Sequence, residues 1–191
     1  MDFSLLAWAR AVKVRRPQPF PPLWLFTDEA RLGDPCCAVR RLPRGLAGVV
    51  FRHDGAADRA ALGQALARIC RARRLAFVVA GDARLAARLK GGLHLRRGRW
   101  QKGWAARGLL TASAHNRAEL VRAGRMGVGL VFLGPAFATA SHPGQRALGA
   151  VRWNALARCA RSPVAAIGGI TGRSIRCLPR AGACGAIAAL G

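Results

Sequence analysis

The chain has 191 residues, of which 52% are hydrophobic, and its 32 Lys and Arg against 8 Asp and Glu give a formal charge of +24. That apolar fraction is ample for a core and argues against an intrinsically disordered chain. Gly, Pro and Arg interrupt each apolar run well before the roughly 18 residues of a spanning helix, which excludes a transmembrane role and leaves one soluble globular domain.

The amphipathic stretch 3–14 predicts a helix, followed by the Pro-rich segment 17–22. Charges run through this stretch and no cleavage-type site ends it, so it does not read as a secretory signal. Residues 1–22 are taken as a lead-in and 23–191 as a single domain. From residue 23 onward, short β-like runs alternate with Ala, Leu and Arg segments of helical period. The strands are expected at 23–26, 46–52, 76–80, 92–95, 109–113, 129–133, 164–167 and 185–189. Helices are expected at 58–73, 83–90, 116–123 and 148–160. In the helix 58–73, Ala61, Leu62, Leu66, Ile69 and Cys70 share one face while Arg68, Arg71 and Arg73 stay in water.

Eight parallel strands with helical returns close most simply into a (β/α)8 TIM barrel, whose strands are buried on both faces and read as continuous apolar runs such as Ala-Gly-Val-Val-Phe. Barrels usually need about 250 residues. This one is therefore expected to be truncated, with no helix after the eighth strand and none in the basic, Gly-broken segment 96–107. An open doubly wound sheet is the structural alternative. A partner copy in a homo-oligomer could supply the missing helix, or the N-terminal helix could plug the barrel floor.

In a barrel, chemistry sits at the C-terminal strand ends. Here these are polar: Thr27-Asp28-Glu29, Arg52-His53-Asp54, Ser113-Ala114-His115 and the run from Gly134 to His142. Arg52 follows five apolar residues, where a charge is tolerated at an open strand end or in a pair, and its fork suits phosphate. A structural pair with Asp28 or Asp54 fits the position equally well. Gly168-Gly169 is either a tight turn or a backbone cradle for a phosphate. His94, between two leucines, reads as a core histidine, whereas His115 and His142 flank loops and suit proton transfer or phosphate contact. Trp100 and Trp104 stand among basic residues and read as barrel covering before base stacking.

The positive charge is almost all Arg, with Lys only at 13, 90 and 102, and is dispersed along the chain. Dispersal disfavours nucleic acid as partner but gives any cleft a field that attracts phosphates. Cys36, Cys37, Cys70, Cys159, Cys177 and Cys184 show no zinc-type spacing. A reduced, cytoplasmic location fits them.

Several segments, in order, resemble the thiamine phosphate synthase family, also called the TMP synthase/TenI superfamily. Leu-Phe-Thr-Asp at 25–28 resembles its first strand, Gly-Leu-His-Leu at 92–95 its fourth, and Ser113-Ala114-His115 its fifth. Gly134-Pro135-Ala136-Phe137-Ala138-Thr139-Ala140-Ser141-His142 is similar to its Gly-Pro-Ile-Phe-x-Thr-x-Thr-Lys, and Ala166-Ile167-Gly168-Gly169-Ile170 reproduces its Ala-Ile-Gly-Gly-Ile. Gly182-Ala183-Cys184-Gly185 resembles the Gly-Ala-Asp-Gly before its last strand.

The resemblance implies a small (β/α)8 barrel that joins a hydroxymethylpyrimidine pyrophosphate to a thiazole phosphate and releases pyrophosphate. It implies catalysis by a clamp on the departing charge, normally Mg2+ with basic residues. Arg52 matches the pyrophosphate arginine, Ser113 the fifth-strand serine, Thr139 and Ser141 the loop threonines, and Gly168 with Gly169 the phosphate cradle. The departures gather at the clamp. The family's Arg-x-Lys reads Arg52-His53-Asp54, its Asn-Asp pair reads Ala80-Gly81, its acid after the fourth strand falls near Gly98-Arg99, and its loop Lys is His142. Both Mg2+ carboxylates are thus missing, with Asp82 one position away as a weak metal candidate. The histidine of the tautomerase branch is replaced by Pro135. Three expectations follow: a transferase in which Arg96, Arg97, Arg99 and His142 supply the metal's charge, a decayed barrel that only binds a phosphorylated ligand, or a basic nucleic-acid binder.

Overall fold

The computed structural model describes residues 2–98, 108–139, 144, 146–187 and 189–190. Its strands are β1 (Leu23–Phe26), β2 (Ala47–Phe51), β3 (Ala76–Ala80), β4 (Gly92–Leu95), β5 (Leu110–Ala114), β6 (Leu130–Leu133), β7 (Val164–Ile167) and β8 (Ala183–Ala186). Each pairs in parallel with the next, and β8 returns to β1 through Leu23↔Cys184, closing a barrel. The (β/α)8 fold expected from the alternation is the fold adopted, and the open sheet is not.

Successive strand residues face opposite sides, so each strand feeds two cores. Trp24, Phe26, Val50, Val78, Leu130, Phe132 and Ala165 fill the interior. Leu23, Leu25, Val49, Phe51, Val79, Leu93 and Leu95 face outward to the helices. The interior is packed by rings: Phe132 meets Phe26 edge-on at 4.8 Å and Trp24 edge-on at 5.6 Å. Small residues on neighbouring strands make room for them, since a Cβ on Gly48 would lie 2.7 Å from the Trp24 ring. The same effect moves the last strand. The apolar run 185–189 predicts β8 there, but the pairing uses Ala183 and Cys184, and a Cβ on Gly185 would lie 2.8 Å from the Phe26 ring. Smallness, not hydrophobicity, decides where β8 fits.

The helices are α1 (Phe3–Arg15), α2 (Pro35–Arg41), α3 (Arg59–Ala72), α4 (Ala83–Arg88), α5 (Arg117–Arg125) and α6 (Gly149–Arg158). Five begin with a side-chain cap that satisfies an orphan N–H: Asp2, Asp34, Asp58, Asp82 and Asn116 accept from Leu5, Cys36, Ala61, Leu85 and Glu119 respectively. Short 3-10 turns follow β4 (Arg96–Gly98) and β7 (Ser174–Cys177). Residues 99–107, which carry the Trp100 and Trp104 cluster, lie outside the described residues.

Among the described residues no helix follows β8, and α1 takes that place on the barrel's side. At the mouth end, Asp2 N–H donates to Ala189 O at 3.1 Å and Asp2 Oδ2 accepts from Gly172 N–H at 2.7 Å. At the floor end, Lys13 Nζ donates to Gly45 O, just ahead of β2, at 2.6 Å. Helix α1 therefore runs antiparallel to the strands, as barrel helices do, and its Leu5, Ala9 and Val12 are buried, Leu5 and Ala9 within the outer core. It does not plug the floor.

Candidate functional site

The C-terminal strand ends open into one cavity of about 950 Å3. Arg52, Ser113, His115, Thr139, Gly168 and Gly169 all line it. Ser141 and His142 lie outside the described residues, as does Arg99. The described lining carries Arg31, Arg52, Arg96 and Arg97 against Asp2 and Asp54, so the mouth is net positive and attracts anions.

On the β1–β2 side the organising group is Thr27, which is fully buried. Its Oγ1 accepts the Arg52 N–H at 2.8 Å and meets His53 Nδ1 at 2.9 Å. That fixes the turn from which Arg52 leaves the strand. The guanidinium reaches Asp28 at only 4.0 Å and is 37% exposed, so the pair expected from the sequence exists but leaves the fork open to the cavity. His53 is buried, and burial lowers its pKa.

Between β2 and β4 stands an ion-pair chain that no spacing along the chain signals. Arg59, from α3, donates to Asp82 Oδ2 and to Ala80 O, both at 2.9 Å, lies 3.3 Å from Asp54 Oδ1, and stacks over Phe51 at 5.3 Å. Asp54 in turn pairs with Arg96. Asp82 therefore caps α4 with one oxygen and holds Arg59 with the other.

Deeper in the mouth, His94 is 3% exposed, and its Nδ1 meets Thr111 Oγ1 at 2.9 Å. Burial pushes its pKa down to about 3, with Arg52 and Arg96 adding to the fall. The unfolded chain therefore takes up a proton between roughly pH 6.5 and 3 that the folded chain refuses, so stability rises with pH across that window and is lost as pH falls. Urea unfolding between about pH 6.5 and 5 is expected to show a loss of up to ~1.4 kcal/mol per pH unit from this group. His94→Gln should flatten that slope, and an unchanged slope would refute the assignment.

On the β5–β7 side, Ser113 Oγ accepts the Arg97 N–H at 3.1 Å, which leaves its own proton to donate. His115 Nδ1 donates to Gly134 O at 2.6 Å, so Nε2 carries the lone pair of the neutral ring. The loops after β6 and β7 are joined by Ala136 N–H to Ile167 O and Phe137 N–H to Gly168 O, at 2.8 and 3.0 Å. Gly168 and Gly169 have φ of +88° and +64°, the left-handed region that glycine adopts without penalty. Asp2 also lines the cavity, where the Gly172 N–H holds its carboxyl below the usual range.

The strand ends thus bring guanidinium, hydroxyl and glycine groups around one concave, net positive mouth, at the end of the barrel where (β/α)8 proteins carry their functional sites. The model of the thiamine monophosphate synthase family matches residues 25–190, and the chain belongs to that family. Thiamine phosphate pyrophosphorylase from Pyrococcus furiosus is similar at 23% identity over 87% of this chain and 85% of its own, with a TM-score of 0.74. FabK from Thermotoga maritima shares 16% identity over 92% of this chain and 60% of its own, TM-score 0.67. The thiamine phosphate pyrophosphorylase from Bacteroides thetaiotaomicron shares 17% over 90% of this chain and 84% of its own, TM-score 0.63. At these identities the solved structures share the barrel. No curated protein matches the sequence. Among the described residues no helix is long and apolar enough to cross a membrane.

The metal of the family does not fit the residues present. All 8 acidic residues are committed elsewhere: Asp2, Asp34, Asp58 and Asp82 to helix caps, Glu29 to the Gly55 N–H, and Glu119 to the His115 N–H. Asp28 pairs with Arg31 and Arg52, and Asp54 with Arg59 and Arg96. Among the described residues, no three His, Cys, Asp or Glu side chains form a group that could hold a metal ion.

Proposed function

We propose that the protein is a thiamine phosphate synthase-type transferase, joining a hydroxymethylpyrimidine pyrophosphate to a thiazole phosphate. The observation that carries this reading is the meeting of Arg52, Ser113, Thr139 and Gly168 in one mouth, from four different strand ends. In the reaction the bond between the pyrimidine methylene carbon and the diphosphate oxygen breaks, and its electron pair leaves with pyrophosphate. The thiazole nitrogen then donates its lone pair to the methylene carbon, forming the new C–N bond. Nearly all the demand falls on the departing charge. Arg52 meets it with a two-pronged, charge-assisted grip. Ser113 and Thr139 supply hydroxyls, with Ser141, at the position of a family threonine, and His142, in place of the family's loop lysine, adding to the clamp. The backbone at Gly168 and Gly169, which lines the same mouth, takes the thiazole phosphate.

Purified protein supplied with both substrates is expected to release thiamine phosphate and pyrophosphate in equal amounts. It should also restore growth of a thiamine auxotroph lacking its own synthase. Failure of both would remove this reading. A second reading is favoured by the commitment of every carboxylate: a barrel that binds a phosphorylated heterocycle without turning it over. Calorimetric binding of thiazole phosphate without product would support it. Steeply salt-sensitive binding to unrelated duplexes would instead favour a nucleic-acid role. We further propose a cytoplasmic location.

A further inference from the structure

We infer that Arg96 stands where a divalent cation would otherwise be needed, so that Arg52 and Arg96 together hold a diphosphate without metal. This rests on the reading above only in taking the anion to be a diphosphate, and its test measures binding, not turnover.

Three observations converge on Arg96. The first is the space it fills. Gly81, at the end of β3, has φ +69°, and a Cβ there would lie 3.1 Å from Arg96 Nε and 3.4 Å from Cζ. A guanidinium thus occupies the volume that any side chain at this strand end would claim. The second is how it is held. Asp54 fixes Arg96, Arg59 fixes Asp54, and Arg59 is itself tied to Asp82, to Ala80 O and to the Phe51 face. The positive group is therefore tethered by a chain rooted in the strand ends, which reduces the ordering it must undergo when the anion arrives.

The third observation is what remains free. The Arg96 side chain is 55% exposed and lines the same mouth as Arg52. A guanidinium has five N–H donors in a fixed plane, and Asp54 cannot occupy them all. The two arginines follow β2 and β4, with only β3 between those strands, and both charges add to the lowering of the His94 pKa. A divalent cation brought to this spot would meet fixed positive charge and no uncommitted carboxylate. A diphosphate would meet complementary charge on two forks.

Isothermal titration of inorganic pyrophosphate into the full chain tests this directly. Binding is expected in EDTA, with an affinity that millimolar Mg2+ changes by no more than about threefold. Arg96→Ala should weaken it at least about tenfold. Arg96→Gln, which keeps the stem and a hydrogen-bonding end, should do the same if the alanine variant folds poorly. Arg68→Ala removes an equal charge from the exposed face of α3 and should stay within about twofold of the wild type, separating the site from the overall field. Binding that requires Mg2+, an Arg96 variant that binds like wild type, an equal loss in Arg68→Ala, or no binding at all would each overturn the inference. Metal-free binding without turnover would leave it standing and remove the transferase reading alone.

Discussion

Replacing Arg52 by Ala is expected to lower kcat/KM for thiamine phosphate formation by about two to three orders of magnitude, the usual effect of removing one preorganised group from a developing negative charge. The effect should fall mainly on kcat, because the charge on the leaving diphosphate grows as the methylene C–O bond breaks. The fold should tolerate the change. The Arg52 N–H bond to Thr27 survives, and the ion pair given up spans 4.0 Å with the guanidinium 37% exposed, an arrangement worth little to stability. Arg52→Lys keeps a charge but loses the two-pronged grip and should fall between the two. Steady-state kinetics with both substrates, beside a thermal melt, check this. An alanine variant as active as the wild type would remove Arg52 from the clamp.

The second large effect is expected at the joint between the loops after β6 and β7. Gly169→Val should lower the thermal midpoint by roughly 5–20 °C and abolish binding of thiazole phosphate. The residue needs φ +64°, and a Cβ there would lie 2.5 Å from Ala138 O and 2.8 Å from Phe137 Cβ. A side chain would have to part the two loops whose backbones line the proposed phosphate cradle. Gly127→Ala is the control, with φ +66° and nothing within 4 Å of the added carbon. It carries only the backbone cost of about 1 kcal/mol and should move the midpoint by about 2–4 °C. Equal shifts in the two variants would show that the joint is loose.

The barrel was readable because its strands are apolar on both faces, so runs such as 47–51 stand out from helices with one wet side. The strand β8 was displaced by two positions because the fit between small residues and the rings of Phe26 and Phe132 is a property of neighbours far away in sequence. Helix α2 carried its signature in Asp34-Pro35, an N-cap followed by a proline at the first helical position, yet its 7 residues are too few for periodicity to show. In the mouth, strand-end positions could be taken from the chain one by one. The Arg59–Asp54–Arg96 chain could not, because Arg59 leaves a helix after β2 to reach Asp82 after β3. Asp2 is readable as a cap but not as part of the rim, since its bond to Gly172 spans 170 positions.

That span bears on how the molecule is made. Helix α1 is made before every strand of the barrel, yet the carbonyl and amide that bond Asp2 belong to residues 189 and 172. Until the segment from β7 through residue 189 has been made, Leu5, Ala9 and Val12 lack the berth they have in the closed barrel, and the nascent chain carries an uncovered greasy stripe. Fragments that stop short of β7 should therefore be aggregation-prone through this stripe.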